Sequence, residues 1–298
     1  MPSREARHDA GASQAMRHDP AALLAVAVDA ATAAGQRVQA LASSRSHVRW
    51  EEKGFADFVT DVDRESERII RRIVAGALPD ADVLGEELSP GLAGTTPLAA
   101  RRGIVFVADP LDGTTNFLHG YPQYAVSIAV VADGTLAAGV VYHAVTNDVY
   151  TATAGGGAFR NGQPIAVSPI TTPSRALIGT GFPFSHLERL AEYQPQFAAI
   201  SSQVSGLRRA GSAALDLCDV ACGRFEGFWE LTLAPWDIAA GMLIIREAGG
   251  VVTDLSGAPA PVAHTSVVAG NPGIHRWLLE TLSHTRAAAA TAATALTP

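Results

Sequence analysis

The spacing of hydrophobic residues changes along the chain and predicts a mixture of helices and strands. The pair Asp19-Pro20 opens an apolar segment to about Ala42, which is typical of a helix with an acidic N-cap and a first-turn proline. Apolar residues at helical spacing also run to about Leu78, and we predict that Asp63 caps this second helix. Both acids can accept a hydrogen bond from a free N–H group of the first turn.

The middle of the chain alternates short apolar runs with turn residues and therefore predicts antiparallel hairpins. Residues 125–131 and 136–142 flank Asp133-Gly134, a dipeptide favoured in tight hairpin turns. Similar runs predict strands at residues 82–84, 105–108, 148–154, 176–181, 225–230, 251–253 and 267–269. Further helices are predicted at residues 187–202, 211–221 and 235–248 and from residue 272 onwards.

The domain organisation follows from these elements. No repeat or linker separates independent units, so we predict one α/β domain over residues 19–284 with layered, mixed sheets. The chain has 298 residues, of which 48% are hydrophobic, and this is enough for one large core. The polar residues 1–18 predict a disordered N-terminal arm, and residues 285–298, rich in Ala and Thr, predict a flexible tail.

The charge of the chain argues against two classes of partner. Its 29 acidic and 22 basic residues give a net charge of −7, and Lys53 is the single lysine. Nucleic-acid binding requires clustered basic residues, which the sequence lacks, so we predict no nucleic-acid partner. No apolar run approaches the roughly 20 residues of a membrane span, and no signal peptide is evident. We therefore predict a cytoplasmic protein without a membrane partner.

The most informative stretch is residues 105–117, which read Val-Phe-Val-Ala-Asp-Pro-Leu-Asp-Gly-Thr-Thr-Asn-Phe. An apolar strand ends there in Asp109 and Asp112, and a helix begins at Gly113 and Thr114. Carboxylate oxygens suit hard cations, whereas the N–H groups of a helix N-terminus suit an anion. We therefore interpret the junction as a place for a metal ion beside a phosphate group, with the N–H groups of Gly113 and Thr114 on the phosphate oxygens.

Two further acids share this context. Glu86 follows a predicted strand, and Asp237 lies in the first turn of an apolar helix. A buried carboxylate is costly unless it is hydrogen-bonded, paired or bound to metal, and helix capping alone is an alternative role for Asp237. Together with Asp109 and Asp112, these acids have few basic neighbours, which favours a metal site. An all-oxygen ligand set indicates Mg²⁺, with Mn²⁺ as a substitute.

These residue types predict the hydrolysis of a small phosphate ester with the assistance of metal ions. One ion lowers the pKa of a bound water, and a second stabilises the leaving oxygen. The sequence contains no cysteine nucleophile motif and no arguable Ser-His-Asp arrangement. Direct attack by water on phosphorus therefore requires the fewest assumptions.

Taken together, the motifs resemble the inositol monophosphatase family over about residues 20–282. The matching segments are residues 57–63, Gly85-Glu86-Glu87, residues 109–117, residues 180–183, residues 211–216, residues 235–241 and residues 246–250. The resemblance implies an α/β, five-layer αβαβα sandwich of the sugar-phosphatase type, also found in fructose-1,6-bisphosphatase. It further implies a homodimer and an Mg²⁺-dependent activity that Li⁺ inhibits.

Carried over residue by residue, the resemblance implies ligands for two or three Mg²⁺ ions. Glu86, Asp109 and the carbonyl group of Leu111 would hold the first ion. Asp109, Asp112 and Asp237 would hold the second. Glu86, with water and Asp63, would serve a weaker third ion.

The resemblance also implies roles around the substrate. Thr114, paired with Asp63, would position and deprotonate the attacking water, with Glu86 as a further catalytic residue. Glu230 would accept hydrogen bonds from inositol hydroxyl groups. The segment that would line the sugar consists of Gly211, Ser212 and Ala213. Asp237, Gly113 and Thr114 would also belong to the substrate site.

The resemblance favours an inositol-1-monophosphatase and leaves other substrates open. The alternatives are fructose 1,6-bisphosphate, histidinol phosphate and 3′-phosphoadenosine 5′-phosphate. A different hypothesis is that the chain is a non-catalytic regulatory protein on the same fold. Such a protein would be expected to have lost metal ligands, and none of the ligands implied by the resemblance is missing from this sequence. A binding module without turnover leaves Thr114 and Asp63 beside the acids unexplained. The family often has a lysine upstream of residues 57–63, and Lys53 is not securely in that register.

Overall fold

The structure, a computed structural model, describes residues 19–54, 57–89 and 97–295. The helices of this part of the chain are α1 (Pro20–Ala42), α2 (Asp61–Ala77), α3 (Thr114–His119), α4 (Leu190–Ser201), α5 (Ala213–Ala221), α6 (Pro235–Glu247) and α7 (Pro272–Ala295). The strands are β1 (Trp50–Gly54), β2 (Asp57–Thr60), β3 (Asp82–Gly85), β4 (Ile104–Asp112), β5 (Ala125–Ala132), β6 (Thr135–His143), β7 (Asp148–Thr153), β8 (Gly157–Arg160), β9 (Gln163–Pro164), β10 (Leu177–Thr180), β11 (Gly206–Arg208), β12 (Gly227–Leu233), β13 (Val251–Thr253) and β14 (Thr265–Gly270).

The larger sheet orders its described strands β3-β4-β5-β6-β7-β8-β9. Strands β3 and β4 are parallel, and the remaining neighbours pair in antiparallel fashion. The predicted hairpin between β5 and β6 is confirmed. Asp133 and Gly134 both have positive φ, 47° and 85°, which a type I′ turn requires.

The second sheet orders its described strands β11-β10-β12-β14-β13. Strand β10 runs parallel to both β11 and β12, whereas β14 runs antiparallel to β12 and β13. Because β10 and β12 are parallel, their carboxyl ends lie at the same edge of the sheet. That edge faces the acidic end of β4 across the cleft described below.

Three apolar clusters hold five layers together, which confirms the predicted αβαβα architecture. Helices α1 and α2 pack on one face of the larger sheet through residues such as Ala31 and Phe106. Helices α5 and α6 fill the space between the two sheets. Helices α4 and α7 cover the outer face of the second sheet, where Trp229 is fully buried.

One local prediction, the residue that caps α2, is wrong. Thr60, not Asp63, is the N-cap of α2, because the Thr60 hydroxyl accepts hydrogen bonds from the N–H groups of Val62 and Asp63. Asp63 is the third helical residue, and its carboxylate accepts the N–H group of Thr60 at 2.9 Å in a reciprocal capping box. Helix α7 continues to Ala295, into the segment predicted to be a flexible tail. The predicted arm, residues 1–18, lies outside the described residues.

Helix α1 is long and apolar enough to cross a membrane by length and composition alone, which the sequence analysis did not anticipate. Its apolar face packs against the larger sheet in the cluster that contains Leu23, Ala27 and Val38. A helix that packs one face against the core of a layered domain can pass the same length and composition test, and this packing accounts for the buried apolar residues of α1.

Candidate active site

The predicted acids converge on one cleft of about 490 Å³ between the two sheets. Asp109 and Asp112 lie at the end of β4, and Glu86 directly follows the parallel strand β3. The N–H group of Glu86 donates to the carbonyl oxygen of Ala108 at 3.3 Å, which places Glu86 beside Asp109. Asp237 enters from the first turn of α6. We call Glu86, Asp109, Asp112 and Asp237 the carboxylate cluster.

Local backbone geometry presents two members of the cluster. The pairing of β4 with β5 is irregular between Asp109 and Asp112, so this segment leaves the regular strand geometry. Gly113 then adopts φ 95° at the start of α3. A Cβ atom there would lie 2.8 Å from the carbonyl oxygen of Gln123, so the turn requires glycine. Asp109 is oriented by the N–H group of Leu111, which donates to its Oδ1 at 2.9 Å.

The other carboxylates are oriented by donors from neighbouring elements. The Ser212 hydroxyl and the Ala214 N–H group both donate to Oδ2 of Asp112 at 2.7 Å. The N–H group of Ala234 donates to Oδ2 of Asp237 at 2.8 Å. Asp237 therefore caps its helix, which was the alternative role considered for it, and it also lines the cleft.

The acids of the carboxylate cluster are buried and repel one another when they are ionised. Burial, followed by repulsion from Glu86, Asp112 and Asp237, raises the pKa of Asp109 well above its usual range. Burial and the same kind of repulsion also raise the pKa of Asp237. Burial raises the pKa of Glu86 to about 7, although the charge of Lys53 opposes the rise. A cluster of like charges in a buried site is stabilised when positive charge is brought among them.

The residues fit a divalent cation by charge and by donor chemistry. All four side chains offer carboxylate oxygens, the ligands that Mg²⁺ and Mn²⁺ prefer. Within residues 19–54, 57–89 and 97–295, however, no three His, Cys, Asp or Glu side chains already form a ligand set around one point. Each carboxylate instead has an oxygen turned toward a protein donor, as described above for Asp109, Asp112 and Asp237.

Lys53, whose role the sequence left in doubt, lies at this cluster. Its ammonium group donates to Oε1 of Glu86 at 2.8 Å and to Oε1 of Glu87 at 2.6 Å. Burial opposes the charged form of Lys53, but the two carboxylates outweigh it and hold its pKa above the usual value. The strand β1 thus brings the single lysine of the chain against a predicted metal ligand.

Thr114 and Asp63 are neighbours, as predicted. The Thr114 hydroxyl is 2.8 Å from Oδ1 of Asp63 and 3.0 Å from the carbonyl oxygen of Leu111, and it can donate to either. Asp63 is buried, and its other oxygen accepts both the N–H and the hydroxyl group of Thr60. Burial raises the pKa of Asp63, against the effect of these hydrogen bonds. Thr114 lines the cleft, so its hydroxyl can hold a water there.

The opposite side of the cleft has different chemistry. We call it the distal wall and define it as Gly181, Phe182, Phe184, Arg209 and Glu230, all of which line the cleft. A Cβ atom at Gly181 would lie 2.1 Å from the carboxyl carbon of Glu230, so the two residues fit only because Gly181 has no side chain. Burial raises the pKa of Glu230 to about 8, while the charge of Arg209 opposes the rise.

Arg209 is the functional candidate that sequence reasoning missed. Its guanidinium carbon lies 5.1 Å from the ring centroid of Phe184 and 5.8 Å from that of Phe182. These distances are typical of cation–π contacts. The signal in the sequence was a basic residue two positions before Gly211, just ahead of the segment predicted to line the sugar.

The segment Gly211–Ala213 also lines the cleft, as predicted. Ser212 is the N-cap of α5, since its hydroxyl accepts the N–H group of Leu215. The same hydroxyl donates to Asp112, so Ser212 links the distal side of the cleft to the carboxylate cluster. Gly211 has φ 90°, which favours glycine at this turn.

The chain matches known proteins along most of its length. The model of the inositol monophosphatase family matches residues 19–288. The inositol-1-monophosphatase of Rhizobium meliloti is 44% identical over 261 residues, which cover 88% of this chain and 96% of that protein. A putative Nus factor SuhB of Neisseria meningitidis serogroup B is 44% identical over 260 residues, which cover 87% of this chain and 97% of that protein.

A solved structure agrees with these relatives. The extragenic suppressor protein suhB from Bartonella henselae superposes with a TM-score of 0.81 at 39% identity, over 88% of this chain and 98% of that one. Similarity at this level of identity and coverage extends to the whole layered domain.

Proposed function

The chain belongs to the inositol monophosphatase family, and from that premise we propose that it is an Mg²⁺-dependent phosphate monoester hydrolase acting on a myo-inositol monophosphate. The observation that carries this proposal is the carboxylate cluster beside the helix start at Gly113 and Thr114. A cluster of buried acids suits divalent metal, and the N–H groups of that turn suit the phosphate oxygens.

The proposed metal ligands are divided between two main ions. Glu86, Asp109 and the carbonyl group of Leu111 would hold one ion, and Asp109, Asp112 and Asp237 would hold the other. Glu86 and Asp63 would contribute to a weaker third ion. When bound, the ions would supply an acidified water and charge stabilisation for the leaving oxygen.

The side chains around the phosphate would orient the attacking water. The Thr114 hydroxyl, which donates to Asp63 at 2.8 Å, would accept a hydrogen bond from the water through a lone pair. The Asp63 carboxylate would receive the proton of Thr114 as Thr114 takes one from the water. The N–H groups of Gly113 and Thr114 would hold the phosphate, and this restricts attack to one face of the phosphorus.

The distal wall would select the alcohol part of the substrate. Glu230 would accept hydrogen bonds from ring hydroxyl groups, and the Gly211–Ala213 segment would contact the ring. Fructose 1,6-bisphosphate stays a competing substrate, because the distal wall also contains Arg209, whose guanidinium group would suit a second phosphate group. Histidinol phosphate and 3′-phosphoadenosine 5′-phosphate are the remaining competitors.

The decisive experiment measures phosphate release on a panel of these substrates, with and without Mg²⁺ and with added Li⁺. We expect the highest kcat/KM on myo-inositol 1-phosphate, no turnover without divalent metal, and inhibition by Li⁺. Equal or better turnover of fructose 1,6-bisphosphate or histidinol phosphate would overturn the choice of substrate. Metal-independent turnover would overturn the mechanism.

A second candidate function is suggested by the name Nus factor that the Neisseria relative carries. Such a role need not involve turnover of a substrate, and it corresponds to the hypothesis of a non-catalytic regulatory protein on the same fold. Complementation of a strain that lacks its Nus factor SuhB, by the wild-type chain and by an inactive variant, separates the two roles. The homodimer and the cytoplasmic location stay predictions, which sedimentation and cell fractionation test.

A further inference from the structure

Helix α2 carries a buried acid that the proposed mechanism does not use. Glu67 lies on the same helix face as Ile70 and Val74, and all three are fully buried. A buried carboxylate destabilises the fold unless its oxygens are hydrogen-bonded. The partners of Glu67 therefore indicate what the residue holds in place.

Both oxygens of Glu67 are occupied by N–H donors. Oε2 accepts the backbone N–H groups of Glu87 at 2.8 Å and of Leu88 at 3.1 Å. Oε1 accepts the Nε–H group of Arg71 at 2.8 Å and lies 2.7 Å from Nη2 of the same residue. The carboxylate therefore joins α2 to the turn that directly follows Glu86.

The residues that precede Glu86 in the same turn are also held by contacts with α2. A Cβ atom at Gly85 would lie 2.2 Å from the Glu67 carboxyl carbon, so the backbone of Gly85 rests against this carboxylate. Arg71 donates to the Ser89 hydroxyl at 2.7 Å, and the N–H group of Gly85 donates to the same hydroxyl at 3.1 Å. The residues on both sides of Glu86 are thus held from α2.

We propose that Glu67 is a positioning residue that fixes the turn Gly85–Ser89 and thereby sets the affinity of the site for its divalent cation through Glu86. The inference rests on the proposed function, since it assumes that Glu86 is a metal ligand. Residues that orient ligands typically change metal affinity about 10- to 100-fold when they are mutated. Glu67 itself contacts neither the substrate nor the reacting atoms.

Glu67→Gln tests the proposal with minimal change in shape. Whichever way the amide is turned, its NH₂ group faces either the two backbone N–H groups or the guanidinium group of Arg71. One side of the hydrogen-bonded arrangement is therefore lost, and the turn is released from α2 on that side. A merely structural role and a positioning role both predict a lower melting temperature, so stability alone does not separate them.

The separating measurement is Mg²⁺ binding to the full-length, substrate-free chain by isothermal titration calorimetry. We expect Glu67→Gln to bind Mg²⁺ about tenfold more weakly. Glu65→Gln is the matched control, because Glu65 is a half-buried acid on the same helix that pairs with Arg37 at 2.8 Å and lies away from the turn's hydrogen bonds. Val74→Ala is the stability control, because it removes buried volume from α2 two helical turns away from Glu67.

The outcomes are distinct. Unchanged Mg²⁺ affinity in Glu67→Gln would overturn the positioning role, and so would an equal loss of affinity in Val74→Ala. Weaker binding that saturating Mg²⁺ compensates, with kcat restored toward the wild-type value, would support it. A wild-type chain that binds no Mg²⁺ would overturn the proposed function and, with it, this inference.

Discussion

The two sides of the cleft are built in different ways. The carboxylate cluster stands on strand ends and helix starts, where short-range hydrogen bonds orient two of its four acids: the N–H group of Leu111 orients Asp109, and that of Ala234 orients Asp237. The distal wall depends on contacts between distant residues, such as Glu230 against Gly181. The first side is therefore specified by short motifs, and the second by the packing of β10, β12 and the segment before α5.

This difference has a functional consequence. Substitutions in the carboxylate cluster should impair hydrolysis of every phosphate ester, since all substrates share the phosphate group. Substitutions in the distal wall should change the preference among substrates and leave the chemistry intact. The following predictions test this division, starting with the largest expected effect.

Asp112→Asn should abolish most of the activity on all substrates. The asparagine can still accept the hydrogen bonds of Ser212 and Ala214 through its side-chain oxygen, so we expect the fold to persist. Loss of the charge removes several kcal/mol of metal-dependent stabilisation, or about a thousandfold in kcat/KM at about 1.4 kcal/mol per tenfold. The rate of phosphate release at saturating Mg²⁺, as a function of substrate concentration, measures this loss of kcat/KM.

Asp29→Asn is the control for this charge change, because Asp29 is exposed on α1. It should retain wild-type activity. Mg²⁺-dependent turnover by Asp112→Asn above about a tenth of the wild-type rate would contradict the role of Asp112 as a ligand.

Thr114→Ala should lower kcat about a hundredfold on every substrate, because proton transfer by a positioned group contributes at least about that factor. KM should change little, since the N–H group of residue 114 remains. Thr114→Ser keeps the hydroxyl and should recover most of the rate. Steady-state kinetics of the three proteins test this, and equal rates for the alanine and serine variants would exclude the hydroxyl from the reaction.

The same difference between the two sides of the cleft explains which parts of the site could be predicted from the sequence. The motif from Asp109 to Thr114 carries its own strand end, turn and helix start, so its place at a cleft was predictable. The contact of Lys53 with Glu86 depends on how β1 lies over β3, and the stacking of Arg209 on Phe184 depends on packing across the second sheet. Helix capping was misassigned to Asp63 because the Thr60 hydroxyl accepts the N–H groups of Val62 and Asp63 and so starts the helix three residues earlier, which spacing alone does not reveal.

Glu230→Gln should raise KM for myo-inositol 1-phosphate severalfold, because a hydrogen bond between uncharged groups contributes roughly 0.5–1.5 kcal/mol. Hydrolysis of p-nitrophenyl phosphate, which has no ring hydroxyl groups, should be unaffected. This pair of substrates separates the distal wall from the carboxylate cluster. An equal loss of activity on both substrates would show that Glu230 contributes to the hydrolysis step itself. The functional distinction between the distal wall and the carboxylate cluster would then be wrong.

The smallest effect concerns stability and pH. Folding raises the pKa of Glu230 to about 8 from an ordinary value of 4.5, mainly through burial. The folded state therefore holds this proton more tightly than the unfolded state, so the corresponding stabilisation is complete below about pH 4.5 and is lost as the pH rises through about 8. Glu230→Gln lacks the titrating group and should lose less stability over this range.

Scanning calorimetry of both proteins in metal-free buffer between pH 5 and pH 9 measures this difference. Each kcal/mol shifts the melting temperature of a domain of this size by roughly 2–4 °C, so the wild-type value should fall several degrees further than that of the variant. The acids of the carboxylate cluster titrate in both proteins, and their contribution therefore largely cancels in the comparison. Parallel curves would mean that Glu230 is already ionised at neutral pH, and the distal wall would then present a full negative charge to the substrate.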